Sequence, residues 1–83
     1  MRLLVGAELS PIKGGIEARS QELRICSHGK NDGEALNALA TSVRAWAIGL
    51  RAAGSDSLER AIKSRRLTWE PDGDDVEVEI ERL

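Results

Sequence analysis

The sequence predicts an α+β domain: a three-strand antiparallel meander, a long amphipathic helix, a short second helix and a C-terminal β-hairpin. Three observations carry that expectation. Apolar residues alternate over residues 2–10, which is the period of a half-buried strand. From Leu36 to Leu50 they recur every three or four positions, which is the period of a helix with one buried stripe. Alternation returns at the end, where Val76, Val78 and Ile80 interleave with Glu77, Glu79 and Glu81.

In the first strand Leu3, Val5, Ala7 and Leu9 share the inner face. Pro11 is expected to end it, and Lys13-Gly14-Gly15 supplies turn chemistry. Ile16 to Arg19 is expected to return as the second strand, and Glu22 to Ser27 as the third, with Leu23 and Ile25 inward. The helix then opens on Asn31. Its side chain is suited to an N-cap, and Glu34 completes a capping-box-like pair. Asp32 and Glu34 set negative charge at the positive end of the helix dipole. Leu36, Leu39, Ala40, Val43, Trp46, Ala47 and Leu50 form the apolar stripe, and Gly54 is a natural stop.

Asp56 with Glu59 repeats the capping pattern, so a second helix is expected to run to about Lys63, with Leu58 and Ile62 inward. The tail reads as a hairpin of Leu67–Glu70 and Asp75–Arg82 around Pro71-Asp72-Gly73. A two-residue Asp-Gly turn would set Trp69 opposite Val76 and Leu67 opposite Val78. A type I turn with a glycine bulge would shift that pairing by one residue and turn every side chain over. The register that matches apolar faces is preferred.

With 83 residues the chain is a single domain, 1–83, with a thin core. It has neither Phe nor Tyr, so Trp46 and Trp69 supply all aromatic bulk and both should be at least partly buried. The net charge of −2 lacks the basic excess usual in nucleic-acid binders. Cys26 stands alone, which excludes an internal disulfide and fits a reducing compartment. The apolar start is too short for a signal peptide, and no apolar run reaches the roughly 20 residues that cross a bilayer. A cytoplasmic location and no membrane association are expected.

Candidate chemistry is sparse. Cys26 and His28 lie two residues apart and would share a strand face, but a thiol nucleophile also needs an orienting group, and two soft ligands are too few for zinc. A semi-buried cysteine and an exposed turn histidine are the expected outcome, with no catalytic residues, cofactor or metal. Gly14-Gly15 lacks the features of a phosphate loop. Arg60, Lys63, Arg65 and Arg66 cluster at the end of the second helix. They read as a solvated helix end, with nucleic-acid contact as the alternative. Glu77, Glu79 and Glu81 would guard a strand against aggregation or meet a basic partner.

Gly14-Gly15-Ile16-Glu17-Ala18, Glu22-Leu23 with Cys26, and Gly29-Lys30-Asn31-Asp32-Gly33-Glu34-Ala35-Leu36 together resemble the HicB-like antitoxin domain. Members of that family show a Gly-Gly start to the second strand, a Leu…Gly-Cys third strand and a Gly-Asp-Thr-x-Glu-Glu-Ala-Leu turn that opens the helix. The likeness spans about residues 3–50. Ile16 replaces the family's aromatic, Asn31 its capping Thr and Gly33 one of its two Glu, and the prolines flanking the third strand are missing. The C-terminal region does not resemble the DNA-binding segment of full antitoxins. The resemblance implies a non-catalytic protein-binding module that neutralises a small basic, RNA-cleaving toxin and self-associates as a dimer or tetramer.

Overall fold

The computed structural model describes residues 1–54, 56–71 and 73–83. It is an α+β fold with five strands and two helices among the described residues. The elements are β1 (Arg2–Ile12), β2 (Gly15–Ser20), β3 (Ile25–Gly29), α1 (Asp32–Ala53), α2 (Ser57–Ser64), β4 (Thr68–Glu70) and β5 (Glu77–Arg82). The sheet runs β3-β2-β1-β4, with β5 also paired to β1. Both helices lie on one face of the sheet, over the core.

The meander forms as expected, with two adjustments. β1 runs through Pro11 to Ile12, and Pro11 pairs with Ile16. The two-residue loop Lys13-Gly14 closes on Ile12 and Gly15, so even-numbered residues of β1 hydrogen-bond toward β2. Odd-numbered ones point to the other edge, where β5 has already stopped opposite Ala7. The missing N–H of Pro11 therefore costs no ladder bond. Gly14 takes a φ of 86°, the left-handed region the tight turn demands. The second adjustment is at β3, which begins at Ile25. Leu23 is buried from within the preceding turn, where its N–H donates to the Oγ of the fully buried Ser20.

α1 has 22 residues and starts as its sequence dictates. The Asn31 carboxamide oxygen accepts from the Glu34 N–H at 2.9 Å, and its amide donates to the Glu34 carboxylate at 3.3 Å. The Asn31 side chain thereby satisfies one orphan N–H of the first turn and fixes the Glu34 carboxylate beside it. The deepest row on α1 is Ala35, Leu39, Val43 and Ala47, spaced four apart, while Leu36, Trp46 and Leu50 flank it half-buried. Small residues let the helix approach the sheet closely. A Cβ on Gly29 would fall 2.3 Å from the Ala35 nitrogen, so β3 can meet the first turn of α1 only at a glycine. Ser27 of β3 and Ser42 of α1 share a hydrogen bond of 3.0 Å just beyond this contact.

α2 differs from its expectation at both ends. Asp56 precedes it, but its side chain makes no cap bond; only its carbonyl accepts, from Arg60. At the far end Arg66 adopts φ 56°, and Leu67 donates to the Ile62 carbonyl while Arg66 donates to that of Lys63. This is a Schellman stop, completed by the burial of both Leu67 and Ile62. Gly54 follows α1 with an extended φ of 167°, a conformation that does not require glycine.

The C-terminal hairpin is the correction. β4 and β5 do not pair with each other among the described residues; both pair with β1. β4 runs antiparallel to it (Leu3 with Trp69) and β5 parallel (Leu3 with Val78). Since both engage Arg2–Leu4, they occupy opposite edges of β1, and the first strand is inserted between the two arms of the expected hairpin. Of the expected turn, Asp72 lies outside the described residues. Residues 73–76 of the connector instead lie at the start of β1, where the Met1 amine donates to the carbonyls of Gly73 (3.2 Å) and Asp75 (2.6 Å). α1 holds the same connector: Arg44 donates to the Val76 carbonyl at 3.1 Å and Arg51 to that of Asp74. The inner faces still match, because Trp69, Leu3 and Val78 lie side by side.

No helix among the described residues is long and apolar enough to cross a membrane.

Candidate functional site

Three groups of side chains stand out, and the sheet distributes them. Because Leu3, Val5 and Ala7 face the helices, Arg2, Leu4, Gly6 and Glu8 face the other way, onto a side that carries no helix among the described residues. Residues paired across a sheet share a face, so Glu77, Glu79 and Glu81 of β5 join them there, as does Glu70 of β4. All four glutamates are exposed. Arg2 sits among them, 2.7 Å from the Glu70 carboxylate and 3.9 Å from that of Glu79. Beside Glu81 a groove of about 350 Å³ is lined by Leu4, Glu22, Arg66 and the exposed Leu83. The three glutamates read from the sequence thus belong to a broader acidic face. The sequence reading did not single out Glu70, although the inward Trp69 beside it sets it outward; the insertion of β1 places Arg2 between it and Glu77.

The basic cluster is less unified than its spacing implied. Arg60, Lys63, Arg65 and Arg66 are all exposed. Arg65 lies over the Trp46 ring, 5.6 Å from its centroid, which ties this cation to α1. Arg66, turned aside by its left-handed backbone, lines the groove next to Glu81. The turn that ends α2 therefore separates the last two arginines.

The third group is at the far end of the uncovered face. Ile25, Ser27 and Gly29 point toward the helices, so Cys26 and His28 point away, and Cys26 is exposed rather than semi-buried. His28 is in β3, not in the turn after it. It pairs with Glu17 of β2, and Arg19 pairs with Cys26. The His28 Nε2 lies 3.6 Å from Glu17 Oε2, while Arg19 approaches Oε1 of the same carboxylate at 3.2 Å. Donor atoms of Glu17, Cys26 and His28 all lie within 4.8 Å of one another. Sequence spacing placed Cys26 and His28 on one face, and the antiparallel register adds Glu17, eleven positions before His28. Glu17 also sits in the alternating run of β2, where period two sets it outward; the signal was there, but the β2–β3 register was needed to use it. Next to Cys26 opens a cleft of about 440 Å³, lined also by Arg19, Ser20, Gln21 and Arg24.

Compared with protein-family models, curated proteins and solved structures, the chain matches none of them.

Proposed function

We infer that the chain is a non-catalytic protein-binding module that receives a small basic protein on the uncovered face of its sheet. The supporting observation is the run of Glu70, Glu77, Glu79 and Glu81 across two strands that flank one arginine. Like charges crowded on one face cost stability, and a cationic partner relieves that cost while steering association. Such a partner agrees with the HicB-like residues at Gly14–Ala18 and Gly29–Leu36, which imply a basic RNA-cleaving toxin as the target and a dimer or tetramer as the working form.

The test is whether a neighbouring reading frame encodes a small basic protein and whether that protein, co-expressed with the chain, co-purifies with measurable affinity; the absence of either overturns the reading. Binding should weaken at least tenfold when Glu77, Glu79 and Glu81 are all changed to Lys, and should weaken with added salt. Binding indifferent to both would overturn the reading. Nucleic-acid contact through Arg60, Lys63, Arg65 and Arg66 is the second reading, supported by their exposure at one helix end. It is distinguished by RNA or DNA affinity that falls steeply with salt and with charge reversal at those four positions.

A further inference from the structure

We propose that Glu17, Cys26 and His28 form a binding site for a divalent transition-metal ion, with zinc the best fit, on the uncovered face of the β2–β3 pair. The inference does not depend on the partner-binding reading.

One thiol, one imidazole and one carboxylate are a donor set that zinc accepts, and a set that calcium and magnesium, which prefer oxygen alone, do not. The geometry is close to what the ion needs. A tetrahedral ion bonded at about 2.0–2.1 Å to nitrogen and oxygen sets those two atoms roughly 3.3–3.4 Å apart. His28 Nε2 and Glu17 Oε2 are already 3.6 Å apart. The sulfur is within 4.8 Å of both and belongs to an exposed side chain that can rotate inward. The backbone adds rigidity, because Glu17 and His28 are direct cross-strand partners and Cys26 is two residues from His28 on the same face.

The second shell supports the same assignment. Arg19 engages Oε1 of Glu17 at 3.2 Å, which orients the carboxylate and leaves Oε2 turned to His28. The carboxylate and a thiolate together neutralise the charge of the ion. Coordination replaces the S–H bond of Cys26 by an S–metal bond and releases the proton to solvent. Three protein ligands leave the fourth position to water, facing the solvent side of the sheet.

The 83-residue chain titrated with Co²⁺ alone tests this. One ion per chain is expected, with the near-ultraviolet thiolate-to-cobalt charge-transfer absorption that only a sulfur ligand gives. Zn²⁺ should displace the cobalt and erase the band. Cys26→Ser should abolish the band, and His28→Ala and Glu17→Gln should each weaken binding at least tenfold. All three side chains lie on the uncovered face, so far-ultraviolet circular dichroism should be unchanged in every variant. The proposal is overturned by the absence of the band in excess cobalt or by undiminished affinity in His28→Ala and Glu17→Gln. Half an ion per chain with dimerisation in sedimentation would also overturn it, because Cys26 would then bridge two copies.

Discussion

Arg66 shows how one residue ends a helix and sets the direction of the next strand. It holds a left-handed backbone, φ 56°, without being glycine, so that Leu67 can turn inward and β4 can begin. For an L-residue that conformation costs roughly 1–2 kcal/mol, and glycine would relieve it while giving back part of the gain as lost backbone entropy. Arg66→Gly is therefore expected to stabilise the fold by about 0.5–1 kcal/mol, read as a higher urea midpoint at unchanged slope. The sequence offered no glycine to mark this stop, and the adjacent run of cations drew attention to charge rather than to backbone. Gly54 is the reverse case, a glycine whose extended φ any residue could adopt.

Elements whose local signals agree with their surroundings were the most legible. α1 carries a cap, a dipole-matched first turn and an apolar stripe, and all three are present. α2 carries a similar-looking cap that is not used, since Asp56 has a helical rather than an extended backbone. The two aspartate and asparagine positions therefore separate cleanly by substitution. Asn31→Ala is expected to cost about 1 kcal/mol, and Asp56→Ala no more than about 0.5 kcal/mol, in equilibrium urea unfolding. A capping motif in sequence states which bond is available; the φ and ψ of the cap residue decide whether it forms. The metal-ligand cluster was half legible for a related reason. Spacing within one strand put Cys26 and His28 together, but Glu17 arrives only through the pairing of β2 with β3.

At the scale of the whole molecule, alternation located both C-terminal strands but not their partner. Two short strands separated by turn chemistry look alike whether they pair with each other or admit a third strand between them. The local pattern contains no term for β1, although Leu3 matches Trp69 and Val78 as well as either matches the other. The resulting sheet is unevenly protected. Leu3, Val5 and Ala7 are buried, and Arg2–Leu4 are paired on both edges, whereas Pro11–Gly14 at the hairpin tip are exposed. Native-state hydrogen exchange along β1 and its hairpin should be slowest at Leu3, Leu4 and Val5 and fastest at the loop residues Lys13 and Gly14.

The placement of β1 between β4 and β5 also sets a timetable for folding. Its far half can fold early against β2 through a two-residue loop. Its near half must wait for partners far downstream, as the 68-residue separation of Arg2 from Glu70 and the 74-residue separation of Met1 from Asp75 record. Closing such loops is slow, and in the interval both edges of an apolar strand stand open. On a ribosome that interval lasts until the last strand has emerged. The nascent chain is then most prone to pairing with a neighbour through Leu3–Ala7, and the arrival of β5 ends that exposure.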